Sequence, residues 1–218
     1  MGLNISGIVI NKNLEDNLAE LSEILKLKLS FDKEIDFETA TQNDKDESIL
    51  DVYYTEKGTI AFAHIDSIAE ENKYPKVKVL TFLVEDAALK FSFNYAENNR
   101  STRYLMELEG ELIDDDGEPL AVEARSMHIA ETIWKQINKL LGESYWKIEG
   151  TEKAYRYHIV GKAELPEQAP SISSPRAQNI PSPTAVEASI TVSPLKEASA
   201  TAATVSNKQA RAWWEFWK

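Results

Sequence analysis

An α+β fold, mostly antiparallel sheet with two principal helices, is expected from three observations. Runs rich in β-branched and aromatic residues outnumber helical ones. Most of them are joined by short turns. Only two stretches, about 14–27 and 126–141, carry apolar residues at helical spacing.

The elements follow in order. Ile5 to Ile10 reads as a strand, and Asn13 followed by Asp16 as a helix N-cap with its partner. Leu14, Leu18, Leu21 and Leu25 then recur at helical spacing, opposite Glu15, Glu20 and Glu23. From Leu29 the period changes to two: Leu29, Phe31, Ile35 and Phe37 alternate with acids, as in a half-buried strand. Ile49 to Tyr54 and Thr59 to His64 flank Thr55-Glu56-Lys57-Gly58, which predicts a hairpin. Val77 to Val84 and Leu89 to Tyr95 are further strands, and Asn98-Asn99 turns the chain into Tyr104 to Ile113. Asp114-Asp115-Asp116-Gly117 reads as another turn, leading to a strand over Leu120 to Ala124. The second helix presents Met127, Ala130, Ile133, Trp134, Ile137, Leu140 and Leu141 on one side, with Gly142 as its C-terminal stop. Tyr145 to Ile148 and Ala154 to Val160 close the domain as strands, and both helices are expected on one face of the sheet.

Charge divides the 218-residue chain. Of its 36 acids and 24 bases, residues 164–218 hold only five of each, so the net charge of −12 lies in residues 1–163. That balance argues against direct nucleic-acid binding, which needs clustered Lys and Arg. The chain has no cysteine, which excludes disulfides, thiolate metal sites and a thiol nucleophile. No glycine-rich phosphate loop, G-x-S-x-G or H-E-x-x-H occurs, so an enzyme and a bound cofactor are not expected. No apolar run approaches 18 residues and no leader is read, so a cytoplasmic protein is expected.

Within the domain, Leu112 to Glu123 imitates a calcium loop but lacks its first acid, and reads better as an Asp-rich turn. His64, His128 and His158 have no partner at a metal-ligand spacing and read as structural or surface residues. Met1-Gly2-Leu3-Asn4-Ile5-Ser6 matches an acylation pattern, but its isoleucines read as core strand. Asp32, Glu34, Asp36 and Glu38 are the stronger candidates. At period two they would project from one face at intervals of about 6.6–7 Å, either protecting a sheet edge or presenting an acidic strip to a basic partner.

Six of the eight prolines lie from Pro166 onward, whereas all eight tyrosines and all eight glycines precede residue 164. Residues 164–207 mix Pro with Ala, Ser and Thr. Apolar burial there cannot offset backbone entropy of about 1–2 kcal/mol per residue, so a disordered linker is expected. Residues 208–218 follow as a separate motif. Trp213, Trp214, Phe216 and Trp217 fall within an arc of about 160° on a helical wheel, opposite Arg211, Glu215 and Lys218. Each aromatic can bury about 150–250 Å², and left in water the four would promote aggregation, so a cover is expected. A groove on a partner protein is the first candidate, a membrane interface the second and the chain's own domain the third.

In layout this arrangement resembles the tails by which single-stranded-DNA-binding proteins recruit partners. Those tails end in acids and Pro-Phe, whereas this chain ends Trp-Glu-Phe-Trp-Lys. The resulting expectation is a non-enzymatic adaptor or accessory subunit. The alternative is a small acidic inhibitor or immunity-type protein using the acids from Asp32 to Glu38.

Overall fold

Ile8-Val9-Ile10 and Ile60-Ala61-Phe62-Ala63 are apolar at successive positions, the mark of strands covered on both faces. In the computed structural model, which describes residues 2–42, 45–68, 76–98 and 100–162, these runs lie side by side near the middle of a nine-stranded sheet. The elements are β1 (Asn4–Ile10), α1 (Leu18–Leu25), β2 (Leu27–Asp36), α2 (Phe37–Ala40), β3 (Ile49–Tyr54), β4 (Thr59–Ala63), β5 (Lys78–Glu85), β6 (Lys90–Glu97), β7 (Arg100–Leu108), β8 (Glu111–Gly117), α3 (Ile129–Leu141) and β9 (Lys153–Lys162). Their spatial order is β2-β9-β3-β4-β1-β5-β6-β7-β8, and every pairing among the described residues is antiparallel. The sheet dominates, with three helices packed around it. The described residues all fall within one compact unit, Met1–Ala169, and residues 163–218 lie outside them.

The helices divide between the faces instead of sharing one. Leu21, Ile24 and Leu25 of α1 pack in a cluster with Ile8, Ile10, Val52 and Ala61. Phe62, one residue on from Ala61, belongs to the opposite face. There its ring lies 6.5 Å from Tyr145, which in turn lies 4.9 Å from Trp134 of α3. Two-sided burial of β1, β3 and β4 therefore needs a helix on each side. The run of successive apolar residues was the signal for it.

Both long helices are shorter than the sequence suggests. The first begins at Leu18 with Asn17 as its N-cap, whose side chain accepts from the Glu20 N–H at 3.1 Å. Asn13 instead folds a turn, accepting from Glu15 N, and Leu14 is buried as a loop residue whose N–H donates to Thr59 Oγ1 at 3.1 Å. The last helix starts at Ile129, which leaves Met127 86 % exposed, off the core. Gly142 ends it as expected, with φ +78°.

Four further expectations are corrected. Asp114 to Gly117 is not a turn but paired strand, because Glu109 and Gly110, both at positive φ, already form the two-residue hairpin turn between β7 and β8. Leu120 to Ala124 is not a strand. Tyr145 to Lys147 is a turn of 3₁₀ helix, tied by the Tyr145 N–H to Asn138 Oδ1 at 2.8 Å. Phe37 leaves β2 to enter α2, where it packs against Tyr53 and Tyr145.

Candidate functional site

Trp213, Trp214, Phe216 and Trp217 lie outside the described residues, as does the whole expected linker. The other sequence-chosen group is described, and its geometry differs from a bare acidic row. β2 is an edge strand, but its register on β9 shifts between Phe31 and Lys33, so Asp32 falls out of phase with the rest. Bases stand across from the acids. Glu34 Oε1 pairs with Lys153 Nζ at 2.7 Å, and Asp32 Oδ1 lies 3.8 Å from His158 Nε2. Asp36 caps α2, accepting from the Thr39 N–H at 2.7 Å, and these hydrogen bonds hold its carboxyl below the usual carboxylate range. Glu38 is exposed on α2 itself.

The structure assembles groups that the sequence did not single out. Asp51 sits mid-strand in β3 directly opposite Arg156 of β9 and is fully buried. Arg156 donates Nε to Oδ1 at 2.7 Å and Nη2 to Oδ2 at 2.8 Å. Lys45 adds its ammonium to Oδ2 at 2.5 Å. A carboxylate so placed requires such partners, because burying it alone would cost several kcal/mol. Burial pushes the Lys45 ammonium down from its ordinary value, against the upward pull of Asp51. The sequence signal was an acid at an inward position of an otherwise apolar strand, Ile49-Leu50-Asp51-Val52-Tyr53.

A second centre surrounds Arg103, only 4 % exposed. It donates Nε and Nη2 to Glu123 at 3.0 and 2.8 Å, and Nη1 to Asp115 and to the carbonyls of Asp116 and Gly117. Two acids of the imitation calcium loop thus bind a guanidinium, pinning β8 to β7. Arg103→Met is expected to destabilise by about 2–4 kcal/mol. It should also speed hydrogen exchange of the β8 amides more than those of β1; equal protection in both strands would contradict this pinning role.

Beyond Arg103 the β7–β8 hairpin is strongly acidic. Glu107, Glu109, Glu111, Asp114, Asp115, Asp116 and Glu118 lie within twelve residues that contain no Lys or Arg. Among the described residues β8 is the terminal strand, paired only with β7; it is exposed along its whole length and carries Leu112 at 54 % and Ile113 at 55 % exposure.

Of the histidines, His64 caps a turn by accepting from the Asp66 N–H at Nδ1, and its ring lies with Glu47 and Asp66 so that one ligand atom of each falls within 4.8 Å of the others. Glu47 and Asp66 are exposed there, a setting in which acids gather without an ion. No helix among the described residues is long and apolar enough to cross a membrane. No family model matches this chain, and neither a curated protein nor a solved structure matches it.

Proposed function

We propose that this chain is a non-enzymatic interaction protein, an adaptor or accessory subunit that makes two contacts. Its acidic domain engages a basic, extended segment of a partner along β8, and Trp213, Trp214, Phe216 and Trp217 engage a second surface of that partner. The observation that carries the reading is the open edge of β8. Acids alone on an edge strand serve to prevent pairing with other sheets. Leu112 and Ile113, each more than half exposed among them, run against that purpose and suit strand addition by a partner whose bases meet the acids. The same charge disfavours a second copy of this chain, since two such edges repel. Residues 164–207 join the two contacts, so engagement of either raises the effective concentration for the other. The inhibitor reading has less support, because Glu34 is already paired and Asp36 is occupied as a cap.

Affinity capture from extracts of the native cells tests this. A species captured by the full chain is expected to be lost on deletion of residues 208–218. Its affinity should weaken about tenfold with Asp114→Lys and Asp116→Lys together, roughly the value of one or two desolvated charge contacts. Neither variant should change the melting temperature. Capture that survives both changes overturns the proposal. Tail-dependent binding to vesicles of phosphatidylcholine and phosphatidylserine would replace the protein partner by a membrane. Loss only with Asp32→Lys and Asp36→Lys would favour the inhibitor.

A further inference from the structure

Two cations, Arg156 and Lys45, meet at one fully buried carboxylate, Asp51. Arg156 already satisfies both oxygens of Asp51, and Lys45 is added to the same group. The Lys45 side chain is only 9 % exposed, and among the described residues the charges acting on it are those of Asp51 and Arg156. An ammonium has three donors. Among the described residues, one of Lys45's is used, on Asp51 Oδ2.

Lys45 lines a cleft of about 170 Å³ where β1 and β6 begin and β4 and β5 end. Lys90 and His64 also line it, against a single acid, Glu85. Two lysines thus face one acid among the residues that line this cleft, in a domain that carries all of the chain's −12. Its apolar wall comes from Phe62 and Leu83, both buried in the sheet. Drug-sized ligands occupy pockets of about 300–1,000 Å³, so this one suits only a handful of heavy atoms.

We propose that the cleft binds a small organic carboxylate, with its anionic group on Lys45 and its short aliphatic body against Phe62 and Leu83. The anion would use donors of Lys45 that Asp51 leaves over. Burial disfavours the charged lysine, and an anion beside it offsets that penalty. Inorganic phosphate offers the charge without the apolar body, so it should bind more weakly. This site is independent of the β8 edge and of residues 208–218.

Butyrate is the probe, titrated into the ¹⁵N-labelled full chain at constant ionic strength, with chloride and phosphate as comparisons. Saturable shifts are expected at the amides of Ser6, Phe62, His64 and Leu83, and Lys45→Met should weaken binding about tenfold or more, the scale of a lost charge-assisted hydrogen bond. Lys90→Met should weaken it severalfold, and provides the test if Lys45→Met does not fold. Lys135→Met, on the exposed face of α3, should leave the affinity unchanged. Shifts that never saturate, or that saturate equally in the Lys45 and Lys90 variants, overturn the proposal. Phosphate binding as tight as butyrate would overturn the assignment of the apolar wall.

Discussion

Replacement of Asp51 by alanine is expected to lower stability by about 3–5 kcal/mol, read as a lower urea midpoint at unchanged slope. The acid is fully buried between Arg156 and Lys45, so its removal leaves two cations facing each other without the carboxylate that joins them. Arg156 lies directly across the β3–β9 ladder from Asp51, and this seam attaches the pair β2–β9 to the rest of the sheet. Loss on that scale is a large share of the roughly 5–15 kcal/mol that holds a domain together. The charge imbalance, rather than the cavity, is the cause. The triple variant Asp51→Leu, Arg156→Met, Lys45→Met should therefore recover most of the loss, because a well-packed apolar replacement of a buried ion group is often neutral or better. A triple variant as unstable as Asp51→Ala would show that packing dominates.

Trp134→Ala is expected to cost a similar amount, about 3–5 kcal/mol. The indole is 2 % exposed and packs against both Tyr145 at 4.9 Å and Trp146 at 4.8 Å, joining α3 to the turn that follows it. Its Nε1 has no hydrogen-bond partner among the described residues although it is buried. An orphaned donor carries a desolvation penalty, so Trp134→Phe removes a penalty along with some packing and should cost about 1 kcal/mol or less. Denaturation followed by circular dichroism gives both values without relying on tryptophan fluorescence. A Phe variant as unstable as the Ala variant would mean that the indole N–H is satisfied after all.

The candidate site was legible only where chemistry is local. Thr55 to Gly58 turns β3 into β4, as its composition indicates, and Thr55 Oγ1 accepts from the Gly58 N–H at 2.8 Å. Gly142 stops α3 for the reason that any Cα without a side chain does at positive φ. The Asp-rich stretch misled because Asp-Gly favours turns in isolation, while the chain had already turned at Glu109-Gly110. The acids of β2 were legible only in part. Their alternation was read on one strand, whereas the shifted register and the bases that meet Asp32 and Glu34 belong to β9. Lys153 and Glu34 are more than a hundred positions apart, and no local period connects them.

By itself the sequence determined the antiparallel, sheet-dominated character of the domain, the confinement of net charge to residues 1–163 and the separate aromatic composition of the final residues. These follow from side-chain periodicity and composition, which act over a few residues at a time. The tertiary structure decided the rest. It inserted the last strand, β9, between β2 and β3, placed α1 and α3 on opposite faces, and brought Arg156 and Lys45 onto Asp51. The physical reason is that strand order and the pairing of buried charges are chosen by what the whole sheet can cover and neutralise, a balance struck between segments distant in sequence.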